Sequence, residues 1–220
     1  MKKKTIALLM AVVMLFGATV GGTIAWLYAQ SLDVTNTFTV GDINVKLDEA
    51  DLKEGTTDTY IKADGTETTD ITEARRVQGN SYQLIPGTTY PKDPKVTIKG
   101  SASNVDAYLF IKFEKGDADK YLTYNSALTA PFSKWQAVPD ENNVWYVEVP
   151  ASTTDFSQEL LIGNTVTVKD TIVDAQSTTS DALKMPKDSQ ILKWTAYAVQ
   201  KDNLTVTEAW KVALTGNKNI

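Results

Sequence analysis

Short runs of alternating apolar and polar residues are the feature that most constrains the fold of this chain. The clearest run is Ala107–Lys115. Its odd positions, 109 to 113, belong to one face and its even positions, 108 to 112, belong to the other, because successive side chains of a strand point to opposite sides. Similar runs occur at 36–47, 95–99, 143–149, 156–161, 165–168 and 192–199.

Turn-forming residues separate these runs, a pattern that is typical of a mainly β protein. Pro86-Gly87 and the polar stretch 140–143 are turn signals, and Gly41-Asp42 divides the first run into two short strands. We therefore predict an antiparallel, jelly-roll-like β-sandwich in which each sheet packs one face on the core.

The C-terminal region predicts a short helix. Thr205 and Glu208 have the spacing of a capping box, in which each side chain bonds a free backbone N–H at the helix start, and Gly216 ends the helix. A second, shorter helix is predicted around 180–184, within the polar stretch 174–189. The predicted apolar face of the C-terminal helix consists of Ala209, Trp210, Ala213 and Leu214.

Residues 49–80 differ in composition from the rest of the chain. They are rich in Asp, Glu, Thr and Gly and contain few large apolar residues. This composition indicates a long polar insertion at the surface. Ala63-Asp64-Gly65 is the expected turn at its tip.

The N-terminus predicts a helical secretory signal segment spanning residues 1–25. Lys2, Lys3 and Lys4 precede a stretch without charge that extends to Leu32 and is strongly apolar from residue 6 to residue 20. Small residues follow, and Thr23 and Ala25 occupy the two positions that a signal peptidase requires to be small. Cleavage is therefore predicted between Ala25 and Trp26.

Two alternatives to this cleavage site follow from the same stretch. Cleavage after Ala29 is one, although it places Leu27 at the position that prefers a small residue. An uncleaved membrane anchor is the other, because the uncharged stretch is long enough to cross a bilayer, which takes about 20 residues. In either case the lysines stay inside and residues 26–220, taken as a single domain, face outward.

The charge of the chain limits its partners. The whole chain has a net charge of −5, and since the leader holds three lysines and no acidic residue, residues 26–220 carry −8. A net negative charge argues against binding nucleic acid or anionic lipid, both of which require a basic surface. Contact with a membrane is expected only through an uncleaved leader.

The absence of histidine and cysteine from the sequence narrows the possible chemistry. It removes His-dependent nucleophile systems and the usual zinc ligands, so no catalytic residue, cofactor or enzymatic activity is predicted. Glu114, Asp117 and Asp119 surround Gly116 and are weak candidates for a calcium site, because calcium prefers oxygen ligands. A solvated turn is the favoured interpretation of these carboxylates. The five tryptophans are expected to pack in the core rather than to form a sugar-binding face.

Several segments resemble the TasA/camelysin family of exported bacterial proteins. The resemblance begins with Gly21–Trp26, Asn36–Gly41 and Ile43–Leu47. It covers the leader and most core strands but not the insertion at 49–80. The remaining similar segments are Ile85–Val96, Ala107–Lys112 and Thr195–Gln200.

This resemblance implies a jelly-roll-like sandwich that is exported after a SipW-type signal peptidase removes its leader. It further implies a secreted structural subunit of a biofilm matrix or cell-surface fibre, in a Gram-positive-type bacterium. Some members of the family are labelled metallopeptidases, a role that the missing histidines and zinc motif do not favour here. A surface adhesin or ligand-binding module that uses the insertion at 49–80 is another alternative.

The family's fibres are thought to assemble by donating an N-terminal strand to the next subunit. In this chain the corresponding segment is 26–40, with Asn36, Phe38 and Val40 as the donor-strand residues. Leader cleavage would free this segment, and a free strand can add to the open edge of a neighbour's sheet. The alternative is that the same residues form the first strand of their own monomer.

Overall fold

A computed structural model describes the chain at residues 38–40, 43, 45–82, 85–99, 106–131, 133–151, 155–170, 172–173, 183–184 and 192–216. All of these residues lie in one unit, Asp33–Ile220. The predicted signal helix lies outside the described residues. The strands are β1 Phe38–Val40, β2 Val45–Ala50, β3 Tyr60–Ile61, β4 Glu67–Thr68, β5 Arg76–Val77, β6 Thr89–Pro91, β7 Lys95–Lys99, β8 Ala107–Glu114, β9 Leu122–Thr123, β10 Gln136–Ala137, β11 Val144–Val149, β12 Asp155–Glu159, β13 Thr165–Val168, β14 Ile172–Val173, β15 Leu183–Lys184 and β16 Lys193–Gln200. The helices are a 3₁₀ turn at Ile71–Glu73, α1 Ala118–Tyr121 and α2 Val206–Gly216.

A long antiparallel hairpin, rolled across three sheets, organises the fold. One arm runs through β6, β7 and β8, and the other returns through β11, β12 and β13. The arms pair antiparallel at every stage: β8 with β11, β7 with β12, and β6 with β13. A rolled hairpin of this kind is how a jelly roll forms its two facing sheets. The predicted mainly β, antiparallel sandwich is confirmed.

The three larger sheets add further strands to this hairpin. The five-stranded sheet has the order β1-β16-β8-β11-β10, and the four-stranded sheet has the order β12-β7-β2-β5. A three-stranded sheet, β6-β13-β9, contains the ends of both arms. In the five-stranded sheet β1 pairs with β16 in parallel, whereas the other pairs are antiparallel.

Two apolar cores lie on opposite faces of β8. Leu109, Ile111 and Phe113 belong to the large core between the sheets. Tyr108 and Phe110 belong to a second core, which α2 covers from the other side. The two faces predicted for this strand are therefore confirmed, and both of them are buried. Three tryptophans lie in these cores, as predicted: Trp135, Trp194 and Trp210.

The predicted C-terminal helix forms, and its capping box is complete. The backbone N–H of Thr205 donates to Glu208 Oε2 at 2.9 Å, and the N–H of Glu208 donates to Thr205 Oγ1 at 3.3 Å. Trp210 packs at 5.4 Å from the Phe110 ring, measured between centroids. Leu214 departs from the prediction, because it is 38% exposed and lies at the edge of the apolar face rather than in it.

One local prediction differs from the structure. Leu183 and Lys184, assigned to a short helix, form β15 and pair in parallel with β14, and residues 180–182 lie outside the described part of the chain. The apolar Ile172-Val173 pair of β14 is a suitable strand partner, and this long-range pairing overrides a weak local preference for helix. After β8, Gly116 and Asp117 form the predicted exposed turn, and the short helix α1 follows it.

The turn at Pro86-Gly87 is confirmed and depends on its glycine. The N–H of Thr88 donates to the carbonyl of Ile85 at 3.1 Å, and Gly87 has a φ of +76°. A Cβ at this position would lie 2.7 Å from Asp170 Oδ1, so even a residue that tolerates positive φ would collide there. This turn directs the chain into β6.

The insertion at 49–80 is more closely attached to the sandwich than its polar composition indicates. Glu49 and Ala50 are the last residues of β2, and β5 pairs with them. The predicted turn forms, closed by a bond from the Lys62 N–H to the Thr66 carbonyl at 2.8 Å between β3 and β4. A small core within the insertion contains Ala50, Leu52, Tyr60 and Ala74.

Candidate functional site

The β1 side of the five-stranded sheet is the first candidate site, because two of the predicted donor residues, Phe38 and Val40, lie there. Phe38 pairs with Tyr197 and Val40 pairs with Val199, in parallel. On its other side, β16 pairs with β8 along all of 193–200. Among the described strands, the outer edge of β16 is therefore covered only at 197–199. Asn36 lies outside the described residues.

β1 is thus the first strand of its own sheet. This arrangement is the one predicted by the alternative to donation, in which these residues stay in their own monomer. Its parallel direction means that no tight hairpin connects it to β16, since parallel neighbours need a long crossover. Helix α2 contacts both β1 and β16. The described contacts of β1 therefore include three ladder positions and one helix.

The predicted cleavage residues Thr23, Ala25 and Trp26 lie outside the described residues, so the structure gives them no geometry. Within the part of the chain that is described, no helix has the length and apolarity needed to span a bilayer.

The three candidate calcium ligands do not converge on one point. Glu114 lies 3.2 Å from Lys112 Nζ and 3.8 Å from Lys193 Nζ, measured from its carboxylate oxygens. Asp117 pairs with Lys120 at 3.1 Å, and Asp119 pairs with Lys115. Each carboxylate therefore has its own lysine. Over the described ranges, no group of three potential metal ligands is present.

Asp119 has a more specific environment than the other two carboxylates. Lys115 donates a hydrogen bond to it, and the Tyr124 hydroxyl donates another at 2.7 Å. These bonds hold the pKa of Asp119 below its ordinary value. Burial and the same bond to Asp119 raise the pKa of Tyr124. At neutral pH the carboxylate is ionised and the phenol keeps its proton.

The sequence did not predict a buried network of charges that joins the insertion to the sandwich. Its centre is Arg76 in β5, whose Nε donates to Asp48 Oδ1 at 2.8 Å and whose Nη1 donates to Asp93. Nη2 donates to the carbonyls of Asp48 and Asp93 at 2.9 and 3.0 Å. Asp93 also accepts from the Ala50 N–H at 2.8 Å.

A second buried pair continues this network toward the core. Lys92 Nζ lies 3.0 Å from Glu49 Oε2, and Glu49 is only 2% exposed. The same ammonium lies 5.0 Å from the centroid of the Tyr82 ring and 5.6 Å from that of Trp194, within cation–π range. The Asn80 N–H donates to Glu49 Oε1 at 2.7 Å.

These charges form one connected network between the insertion and the sandwich. Burial lowers the pKa of Arg76, but the hydrogen bonds that its guanidinium donates to Asp48 and Asp93 more than offset this effect and raise the pKa overall, so the guanidinium stays charged. Burial raises the pKa of Tyr82, and the nearby charge of Glu49 raises it further. A possible sequence signal was the pair Asp48-Glu49, which places two acids inside an alternating strand.

An open cleft of about 770 Å³ lies beside this network, between the outer face of the four-stranded sheet and the 3₁₀ turn. Lys46, Thr97 and Ser157 line it from the sheet, and Ile71 lines it from the insertion. Lys46 is paired with Asp48 at 2.7 Å, and the Thr97 and Ser157 hydroxyls are 3.4 Å apart. Its walls are therefore polar and mixed in charge.

Comparison of the chain with protein-family models, with curated proteins and with solved structures finds no match to any of the three.

Proposed function

We propose that this chain is a secreted structural subunit of an extracellular matrix or cell-surface fibre, assembled by exchange of its N-terminal strand. The observation that carries the proposal is the short parallel strand β1 at the edge of β16. It pairs with three of the eight residues of β16. A longer strand from a neighbour could pair with more of this edge than β1 does.

The remaining sheet is suited to such an exchange. β16 is bonded along its full length to β8, and β8 to β11, by antiparallel ladders that do not involve β1. Removal of β1 would therefore expose an edge while leaving the rolled hairpin intact. Strand addition at an exposed edge gives affinity through backbone hydrogen bonds and register through alternate side chains.

The geometry of donation determines the form of the assembly. A strand given at one place and accepted at another makes a heterologous contact, which produces an open filament unless the rotation closes a ring. In this proposal a SipW-type signal peptidase frees residues 26–40 by removing the leader, and each subunit then binds the next. The net charge of −8 on residues 26–220 keeps free subunits soluble.

A disulfide that ties β1 to its own β16 tests the proposal. Val40 and Val199 are ladder partners, and the chain has no cysteine of its own, so Val40→Cys with Val199→Cys introduces a single bridge. In chains lacking residues 1–25, we expect filaments in electron microscopy when the bridge is reduced. Oxidation should keep the protein monomeric, because β1 can no longer leave.

The single variants Val40→Cys and Val199→Cys, tested under the same oxidising conditions, control for the substitutions themselves. Filaments that form equally well from the bridged protein would show that β1 does not exchange. A reduced protein that stays monomeric at every concentration and pH would count against assembly altogether.

A further inference from the structure

A second pocket, of about 500 Å³, lies at one end of the sandwich, away from β1 and from the insertion. The end of β8, the start of β11 and the loop at 124–131 surround it. Its volume falls within the range of about 300–1,000 Å³ that is usual for small-molecule sites.

Aromatic rings form the apolar part of this pocket. Phe113 is buried at its base, and the Tyr124 ring stands edge-on to Phe113 with centroids 6.1 Å apart. Trp145 also lines the pocket. Its side chain is half-buried, whereas the other described tryptophans are buried. Ile162, at the rim, is one of the few large apolar side chains that are exposed, at 50%. The pocket therefore offers ring surface to a ligand.

Polar groups face the same space. The Asp119 carboxylate is 57% exposed and is held in place by Lys115 and by the Tyr124 hydroxyl. Asn125 and Asn143, both exposed, lie on the lining as well. A carboxylate accepts hydrogen bonds, and an amide both donates and accepts, so together these groups match a ligand with several hydroxyls.

The charge balance selects against ionic ligands. Lys115 and Asp119 neutralise each other within the pocket, and Lys169 Nζ donates to the carbonyl of Asp119 nearby. A cationic ligand would find the Asp119 carboxylate already paired with Lys115, and Lys169 close by. An anionic ligand would likewise find the ammonium of Lys115 already paired with Asp119. A neutral ligand avoids both costs, since burying an unpaired charge is expensive.

We propose that this pocket binds a neutral pyranose unit of a polysaccharide. The apolar C–H face of the sugar ring packs on Trp145 and Tyr124, and its hydroxyls donate to Asp119 and exchange hydrogen bonds with Asn125 and Asn143. This site is separate from the β1 edge, so binding does not depend on filament formation. In a fibre, each subunit would carry one such site.

Titration calorimetry and saturation-transfer NMR test the site with defined probes. The neutral probes are glucose, galactose, mannose and N-acetylglucosamine with their linear trisaccharides, and the charged probes are choline and inorganic phosphate. We expect at least one neutral sugar to bind, with its C–H protons saturated, and neither charged probe to bind at this site.

Three variants and one matched control locate the binding. Trp145→Ala removes a stacking surface and should weaken binding roughly tenfold, which corresponds to the loss of one aromatic contact. Asn125→Ala, on the exposed lining, should weaken it less while leaving the thermal unfolding unchanged. Asp119→Asn should also weaken it less, with a small loss of stability because the charge that Lys115 and Tyr124 bond is removed. Asp117→Asn changes an exposed, lysine-paired carboxylate of the same loop that does not line the pocket, and it should bind like the parent.

The result can also overturn the proposal. Absence of binding by every neutral sugar, binding of choline or phosphate in their place, or sugar binding that all three lining variants leave unchanged would each exclude this site. Filament formation by the same variants is a separate measurement, so failure here is distinguishable from failure of the proposed assembly.

Discussion

Two short edge strands of this molecule, β1 and β5, are attached to their sheets by different means. β1 pairs with β16 at three positions, and β5 pairs with β2 at two, Glu49 with Val77 and Ala50 with Arg76. By ladder length alone β5 would be the weaker strand. It is nevertheless anchored by the guanidinium of Arg76, which bonds Asp48 and Asp93 inside the protein.

The two strands differ in the groups that would lose their partners if the strand were released from its sheet. Releasing β5 would withdraw the Arg76 guanidinium from two buried carboxylates, of which Asp48 would keep the exposed Lys46 and Asp93 would lose its cation. An uncompensated buried charge costs several kcal/mol. Releasing β1 would break three ladder positions and its packing on α2, and no ion pair of β1 is among the described contacts. The strand exchange proposed for β1 would therefore break no buried ion pair among the described contacts.

The largest expected effect comes from breaking the anchor of β5. Arg76→Met leaves Asp48 and Asp93 without their shared cation and should lower the free energy of unfolding by about 3–5 kcal/mol, measured by urea denaturation. Arg75→Met is the matched control, because its ion pair with Asp51 at 2.5 Å lies nearer the surface. It should cost only about 0–1 kcal/mol. Equal losses for the two variants would show that the buried network does not anchor the insertion.

A somewhat smaller loss is expected at the second buried pair. Lys92→Met leaves Glu49 without its ammonium, although the Asn80 N–H still bonds it, and should cost about 3 kcal/mol. Adding Glu49→Gln removes the stranded charge and should restore part of that stability. The double variant should therefore be more stable than Lys92→Met alone, and a double variant that is less stable would contradict the ionic explanation.

A variant of α2 tests the attachment of β1. Thr205→Ala removes the helix cap and should cost about 1 kcal/mol. Because α2 contacts β1, backbone amides at 38–40 should also exchange hydrogen faster, whereas those of β5 should be unchanged. Thr215→Ala, in the last turn of the same helix, is the control. If hydrogen exchange at 38–40 is slowed or unaltered, α2 does not stabilise β1.

The smallest effect is a loosening of the insertion by acid. Hydrogen bonds from the Thr66 and Thr72 side chains lower the pKa values of Asp64 and Asp70 below their ordinary 3.8. A hydrogen bond from Lys62 lowers that of Glu73 below 4.5.

Carboxylates with lowered pKa values stabilise the fold fully above their ordinary pKa and lose this contribution as the pH falls through the lowered values. Hydrogen exchange at 60–73, corrected for intrinsic rates, should therefore accelerate between neutral pH and about pH 3, while β8 stays protected. Unchanged protection at 60–73 would show that these turn bonds contribute nothing to the insertion.

Local patterns predicted much of the fold correctly. The alternation at 107–115 predicted both faces of β8, and the Thr205–Glu208 spacing predicted the cap of α2. These two predictions are correct because the alternation of side chains along a strand and the capping of a helix both depend on residues that are close together in sequence. The helix predicted around 180–184 is wrong at 183–184, because a strand pairing with Ile172 and Val173 decides that segment instead.

The sequence predicted the candidate sites less well than it predicted the fold. The acids at 114–119 looked alike in sequence, yet only Asp119 lies on a pocket, because Tyr124 and Lys115 orient it. Trp145 was grouped with the core tryptophans, and only its place near the end of the sandwich leaves it half-buried. Both distinctions depend on which loops meet at that end of the fold.

The sequence by itself determined the class of this protein: short alternating strands, a capped C-terminal helix, and no histidine or cysteine for the commonest active sites. Tertiary structure alone decided how firmly each edge strand is held. Arg76 meets Asp48 across 28 positions of the chain, and Lys92 meets Glu49 across 43, so no local pattern records either pairing. The physical reason is that the stability of a buried charge depends on the partners that folding brings to it, and these lie far away in sequence.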